Sequence, residues 1–292
     1  MNKDTVKIVE QTAQEIEGSS ISEILIEDGR MTPQEMERIV ALQAKENILF
    51  GEAAVELGVI KGEDVRWALA SQYSYPSPST DDPSLAKDLL LVHEPFTRRA
   101  ETIRSIRSGL VLSGVGKIVR SLAVLSPGAG EGKTFVAANL AIGFAQLGLR
   151  TVLVDLNFRA PRLHELFRLK NNTGASSLII KRALFEDALQ NTAIDSLDIL
   201  TSGPNPPNPL ELLSWPDTTE LLESLKRRYE VLIIDTPAFR PTADSLIISG
   251  LCDATLLVAL KGKTKNAHFG QVKRQLDGAG VKILGSVVNE ID

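Results

Sequence analysis

Cysteine is almost absent: Cys252 stands alone in 292 residues, so no internal disulfide can form and a reducing compartment is expected. It lies in an apolar run before Asp253, where a small buried hydrophobe is expected rather than a reactive thiol. Histidine is sparse too. His93, His164 and His268 have no partners at metal-ligand spacing, which argues against a His/Cys metal centre. No stretch approaches the ~18 to 20 consecutive apolar residues of a membrane-spanning helix. The start, MNKDTVKIVEQTAQEIEG, lacks the apolar core of a secretion signal. A cytoplasmic protein is therefore expected, with any membrane association coming through a partner. There is no excess of basic charge either. The formal net charge of −5 argues against nucleic-acid binding, although Arg98, Arg99, Arg104 and Arg107 form a local cationic segment. The only tyrosines are Tyr73, Tyr75 and Tyr229.

What is present is an ordinary globular composition, 43% hydrophobic and 24% charged, in a chain long enough for two folding units. The first unit is an internal repeat. Residues 20–43 align with 49–72 at an offset of 29, pairing Glu23 with Glu52, Glu27 with Glu56, Gly29 with Gly58, Ala41 with Ala70 and Gln43 with Gln72. Apolar positions follow: Leu25 with Ala54, Ile26 with Val55, Met31 with Ile60, Met36 with Val65. Each copy reads as a short helix, a glycine stop, a turn and a second helix. Thr32-Pro33-Gln34-Glu35 supplies a cap, a proline and acidic charge at a helix start. A small all-helical domain over 1–75 is expected. Prolines among serines and aspartates after Ser74 predict a linker, placed at 76–93, with a helix resuming near Glu94.

Over 94–292 the pattern changes to apolar strands alternating with helices: SLAVLS (121–126), TVLVD (151–155), SLDILTSG (196–203), VLIID (231–235), ATLLVAL (254–260) and VKILGSVVN (281–289). This predicts an α/β domain with a mostly parallel sheet covered by helices on both faces. Between its first strand and helix runs Ser126-Pro127-Gly128-Ala129-Gly130-Glu131-Gly132-Lys133-Thr134. Glycines let successive N–H groups converge on an anion, and the helix start adds its dipole. The reading is a P-loop NTPase that binds ATP and Mg²⁺, with Gly128 to Gly132, Lys133, Thr134 and Phe135 around the phosphates. Lys133 is placed to reach the β- and γ-phosphates, Thr134 to ligate Mg²⁺. Pro127 stands where the usual pattern has Gly or Ala. Asp235, ending VLIID, is expected to hold the magnesium water shell, and Asp155, ending TVLVD, to contact magnesium or position the attacking group.

These segments together resemble the bacterial tyrosine kinase family of polysaccharide assembly, a branch of the partition and septum-site P-loop ATPases. The resemblance rests on the loop followed by FVAANLAIGFAQLG and on TVLVD leading into LNFRAPRLHELF, similar to a DxDxR motif. It rests also on SGPNPPNPLELL (202–213), and on Glu101, Arg104 and Arg107, which match the ExxRxxR oligomerisation motif. It covers about residues 94–290. It implies an ATP-dependent tyrosine kinase that regulates exopolysaccharide chain length, beside a separate membrane copolymerase and as a homo-oligomer. Lys133, Asp155 and Asp235 would carry catalysis, and Thr134, Asp155 and Asp235 the metal.

Two departures accompany it. The second aspartate of DxDxR is Asn157, and the last strand ends in VVN and runs directly into EID, without the family's tyrosine-rich tail. Autophosphorylation on such a tail is thus not expected; Tyr229 is expected to be packed, with Tyr73 and Tyr75 as acceptor candidates. The repeats resemble the N-terminal domain of type II secretion and pilus-extension ATPases, some of which bind cyclic di-GMP through Arg-Leu-Gly triplets. Here those triplets are Ser20-Ile21-Ser22 and Leu49-Phe50-Gly51, without arginine, so protein binding is expected rather than cyclic di-GMP. The alternatives are a partition-type ATPase cycling its own assembly and a non-catalytic ATP-binding adaptor.

Overall fold

The computed structural model describes residues 21–72 and 85–290, which divide near residue 77 into two compact units. In the first unit the repeat becomes two helical pairs, α1 (Ile21–Glu27) with α2 (Pro33–Glu46) and α3 (Phe50–Glu56) with α4 (Gly62–Gln72). Gly29 and Gly58 end the first helix of each copy at φ +71° and +65°, a conformation in which a side chain would be strained. Thr32 caps α2 reciprocally. Its hydroxyl accepts the Glu35 N–H at 3.3 Å, and the Glu35 carboxylate accepts the Thr32 N–H at 2.8 Å. In the second copy Asp64 does the equivalent work, accepting the Lys61 N–H at 2.8 Å. Leu25 and Ala54, and Met31 and Ile60, are buried at matching positions, whereas Val55 is exposed opposite Ile26 in the alignment. Arg30 ties the copies together: it donates to Asp64 at 2.7 Å and stacks on the Trp67 ring at 4.2 Å.

The second unit opens with α5 (Leu90–His93) and α6 (Arg98–Leu112), followed by β1 (Ser121–Leu125), α7 (Lys133–Ala145) and β2 (Thr151–Asp155). Short helices α8 (Leu163–Leu166), α9 (Ala175–Ile179) and α10 (Phe185–Ala188) lead to β3 (Leu189–Asn191) and β4 (Leu197–Leu200). Then come α11 (Pro209–Ser214), α12 (Pro216–Arg228), β5 (Val231–Asp235), α13 (Asp244–Leu251), β6 (Ala254–Leu260), α14 (Asn266–Gly278) and β7 (Ile283–Asn289). The sheet order is β3-β4-β2-β5-β1-β6-β7, parallel throughout except for the β3–β4 pair. β1, β2 and β5 are buried along their whole length, as strands covered on both faces must be. Leu122, Val124, Leu153 and Ile233 join the core that contains α7; Ala123, Val152, Val154, Leu232 and Ile234 join the core under α12.

The linker expected over 76–93 does not extend that far. Leu85, Leu89, Leu90, Leu91 and Val92 are buried in the α7 core. The reason is α7 itself: FVAANLAIGFA is apolar on every side and needs cover on its outer face as well as from the sheet. Asn139, buried within it, fastens that cover by accepting the Leu91 N–H at 3.1 Å and donating to the Asp88 carbonyl at 3.2 Å. The Pro/Ser-rich stretch before Leu85, with Tyr73 and Tyr75, lies outside the described residues.

Candidate active site

The loop after β1 folds back on itself before α7 begins. Lys133 is 7% exposed; its ammonium crosses the loop to the Ser126 hydroxyl at 3.2 Å, with the Gly128 carbonyl at 3.5 Å. Burial pushes its pKa down, and Asp235 and Glu131 push it partly back. Thr134 donates its hydroxyl to Asp235 Oδ2 at 2.7 Å, joining the helix start to the end of β5. Gly130 and Gly132 sit at φ +67° and +93°, and a Cβ on Gly132 would fall 2.1 Å from the Asn289 amide nitrogen.

Asp155 and Asp235 stand directly opposite each other in the β2–β5 pairing, both fully buried. Burial raises both pKa values, and the charge of Asp235 raises Asp155 further. The Thr134 hydrogen bond and the Lys133 charge draw Asp235 partly back. Asp155 Oδ2 accepts the N–H groups of Arg162 and Leu163 at 3.2 Å each, and its Oδ1 accepts the Asn157 N–H at 3.0 Å and keeps one lone pair over. Asp235 Oδ1 is buried with no hydrogen-bond partner. An orphaned carboxylate oxygen beside a threonine hydroxyl suits a hard divalent cation that takes its remaining oxygens from water and phosphate. The residues fit Mg²⁺.

Thr134, bonded to Asp235, opens onto a cleft of about 380 Å³ lined also by Lys133, Phe135, Arg159, Arg162 and Arg240 among others, within the size range of small-molecule sites. Ala129, Gly130 and Gly132 also line it. Gly128 and Glu131 do not contribute as a simple phosphate cradle would suggest. The Glu131 carboxylate, 3% exposed, accepts the Gly128 N–H at 2.8 Å and the Thr264 hydroxyl at 2.6 Å, so that amide is already engaged.

Asn157 uses its amide in a way aspartate cannot: Nδ2 donates to the Ala160 carbonyl at 2.8 Å while Oδ1 accepts the Ala160 N–H at 3.3 Å. Several site residues escape sequence reasoning. Arg159 forks onto Asp244, which is 1% exposed, and Lys263 and Thr264 reach the phosphate loop from the end of β6. The DxDxR pattern supplies Arg159 but not its partner Asp244, and no local pattern marks Lys263 or Thr264. Glu101, Arg104 and Arg107 lie on α6. Arg104 bonds to Glu101 and, at 2.6 Å, to the Pro95 carbonyl, while Arg107 donates to the Gly143 carbonyl at 3.0 Å. Tyr229 donates its hydroxyl to Asp198 at 2.6 Å, and burial together with that bond pushes its pKa up.

Comparison with known proteins agrees with this geometry. Residues 122–292 match the CobQ/CobB/MinD/ParA nucleotide binding domain family. Tyrosine-protein kinase YwqD of Bacillus subtilis (strain 168) is 36% identical over 205 residues, covering 70% of this chain and 86% of that protein. The kinase domain of Escherichia coli tyrosine kinase ETK aligns with a TM-score of 0.67 at 28% identity, over 70% of this chain and 80% of that one. The septum-site-determining protein MinD of Pyrococcus horikoshii OT3, solved with Mg-ADP, aligns with a TM-score of 0.51 at 25% identity, over 58% and 71% of the two chains. With its P-loop α/β sheet and its paired strand-end aspartates, this chain belongs to the bacterial tyrosine-protein kinase family, within the CobQ/CobB/MinD/ParA nucleotide-binding domains.

Proposed function

We propose that this chain binds Mg-ATP in the cleft beside its phosphate loop and transfers the terminal phosphoryl group to a tyrosine hydroxyl. In that role it regulates exopolysaccharide chain length and export together with a membrane copolymerase. The observation that carries the reading is the junction of Lys133, Thr134 and Asp235 at one point, with Asp155 alongside. N–H groups of the glycine-rich loop and Lys133 would stabilise charge on the transferring group. Thr134 and Asp235 would hold Mg²⁺, which would neutralise charge on phosphate oxygens. Asp155, with its raised pKa, takes up the proton leaving the tyrosine hydroxyl as the new P–O bond forms and the bond to ADP breaks.

The same proposal places oligomer contacts at Glu101, Arg104 and Arg107 and gives the helical repeats a protein-binding role. No helix among the described residues is long and apolar enough to cross a membrane, so recruitment to the inner membrane would run through the partner. One observation favours a second reading, hydrolysis that cycles assembly without phosphotransfer: the tyrosine within the described residues, Tyr229, is committed to Asp198. Incubation with Mg-ATP and the cytoplasmic segment of the membrane partner, followed by phosphotyrosine mass spectrometry and ADP measurement, separates the readings. Kinase activity gives both products, each lost in Lys133→Met. ADP alone supports the hydrolytic cycle. Neither product leaves only an adaptor.

A further inference from the structure

The phosphate loop is held from outside by residues that follow β6 and end β7. Lys263 Nζ donates to the Ala129 carbonyl at 2.9 Å and to the Gly130 carbonyl at 3.2 Å. Asn289 Nδ2 lies 3.4 Å from the Glu131 carbonyl, and the Asn289 carbonyl in turn accepts the Lys261 N–H at 2.9 Å. In a trans peptide the C=O of one residue and the N–H of the next point to opposite sides. Fixing the carbonyls of 129, 130 and 131 toward these donors therefore turns the N–H groups of 130, 131 and 132 to the other side of the loop. That is the orientation an anion-binding nest requires.

Thr264 fixes the loop's other limb. Its hydroxyl accepts the Leu260 N–H at 2.8 Å, so its single proton is directed to Glu131 Oε1 at 2.6 Å, while Glu131 Oε2 holds the Gly128 N–H at 2.8 Å. Glu131 thus stands between two donors, and only a side chain with two acceptor oxygens satisfies both. The carboxylate is kept in the outer wall, where it does not compete for the amides that face the cleft.

We infer that Lys263, Thr264 and Glu131 form an external clamp that pre-shapes the phosphate loop, acting as positioning residues for nucleotide phosphates without touching them. This rests on the reading of the loop as a nucleotide-phosphate site.

The test is calorimetric titration of the full chain with Mg-ADP and with adenosine. Thr264→Val changes no charge, and Glu131→Gln leaves one donor facing an NH₂ group. Each is expected to weaken Mg-ADP binding by roughly five- to tenfold, the loss of about one hydrogen bond. Binding of adenosine, which lacks phosphate, should not change. Because the two residues share one bond, the double variant should be little worse than either single one. Thr264→Ser should restore wild-type affinity. Lys263→Met, at an exposed side chain, provides the same readout if the Thr264→Val chain fails to fold, and Lys263→Arg should rescue it, since a guanidinium can also serve two carbonyls. Wild-type affinity in both Thr264→Val and Lys263→Met overturns the clamp while leaving the proposed function intact. Failure of wild-type protein to bind Mg-ADP removes the proposed function and the clamp with it. Equal weakening of adenosine and Mg-ADP would also overturn the clamp, because it would report a general loss of structure.

Discussion

The loops that follow β1 and β2 leave the same edge of the sheet and face one cleft, yet they are built by opposite means. The β2 loop holds its aspartate mainly with its own atoms, Arg159 alone reaching out to Asp244. Asp155 takes N–H groups from Asn157, Arg162 and Leu163, and Asn157 bonds twice with Ala160, all within eight residues along the chain. The β1 loop is rich in glycine; its inner limb is tied locally through Ser126, Gly128 and Lys133, but its outer wall is fixed by Lys263, Thr264 and Asn289, each more than 130 residues away. A self-supporting loop keeps its aspartate in place whatever is bound. A loop held by remote elements takes its shape only when the whole sheet is assembled.

The strongest way to break this comparison is at Asp155. Asp155 accepts the Asn157 N–H on one oxygen and those of Arg162 and Leu163 on the other, so Asp155→Asn turns an NH₂ toward one side. The fold should hold with a loss of about 1–3 kcal/mol, while phosphoryl transfer falls by about 10²-fold or more, as expected for loss of a positioned base. Steady-state turnover beside a thermal melt checks both halves. A variant that unfolds would show that the carboxylate itself, and not its geometry, carries the β2 loop.

A smaller effect should appear with pH. In the folded chain Asp155 and Asp235 keep their protons to higher pH than they would when unfolded, because burial penalises both charges. Between the ordinary carboxylate range and those raised values the folded state therefore binds more protons, so stability should decline as pH rises. Melting temperature measured without divalent cation should drop from about pH 5 to pH 8. Saturating Mg²⁺ should flatten the decline, and Asp155→Asn should remove most of it. A metal-free melting temperature that rises with pH would contradict the assigned environments.

The smallest effect tests Asn157. Asn157→Asp would restore the charge of the DxDxR pattern but forfeit the bond to the Ala160 carbonyl and add a third carboxylate near the buried pair. Chemical denaturation without metal should show a loss of about 1–3 kcal/mol, the cost of an unsatisfied buried group, partly recovered by Mg²⁺. Unchanged stability would mean that the β2 loop does not depend on that amide.

The same contrast explains what could be read in advance. β1, β2, β5 and β6 are legible because strands buried on both faces are apolar without interruption, and the repeat glycines Gly29 and Gly58 because each marks a left-handed helix end. Lys133, Thr134, Asp155 and Asp235 follow from strand ends and a glycine-rich turn. β3 is three residues, LQN, on the sheet's edge, and carries no apolar signal. The stretch 85–93 was expected to be linker because its neighbours are rich in proline and serine; its true role depends on the unusual apolarity of α7. Lys263 and Thr264 look like ordinary polar loop residues, since their partners are set by the parallel pairing of β6 beside β1 and by nothing adjacent in the chain.

The distance between the phosphate loop and its outer supports has a consequence for biosynthesis. A chain leaving the ribosome has made Lys133 long before Lys263 or Asn289 exists. Its loop carbonyls then have only water to hold them, and the amides have no reason to converge. Half-made protein lacks the supports that orient those amides, and the loop's outer wall is complete only when the final strand has joined the sheet.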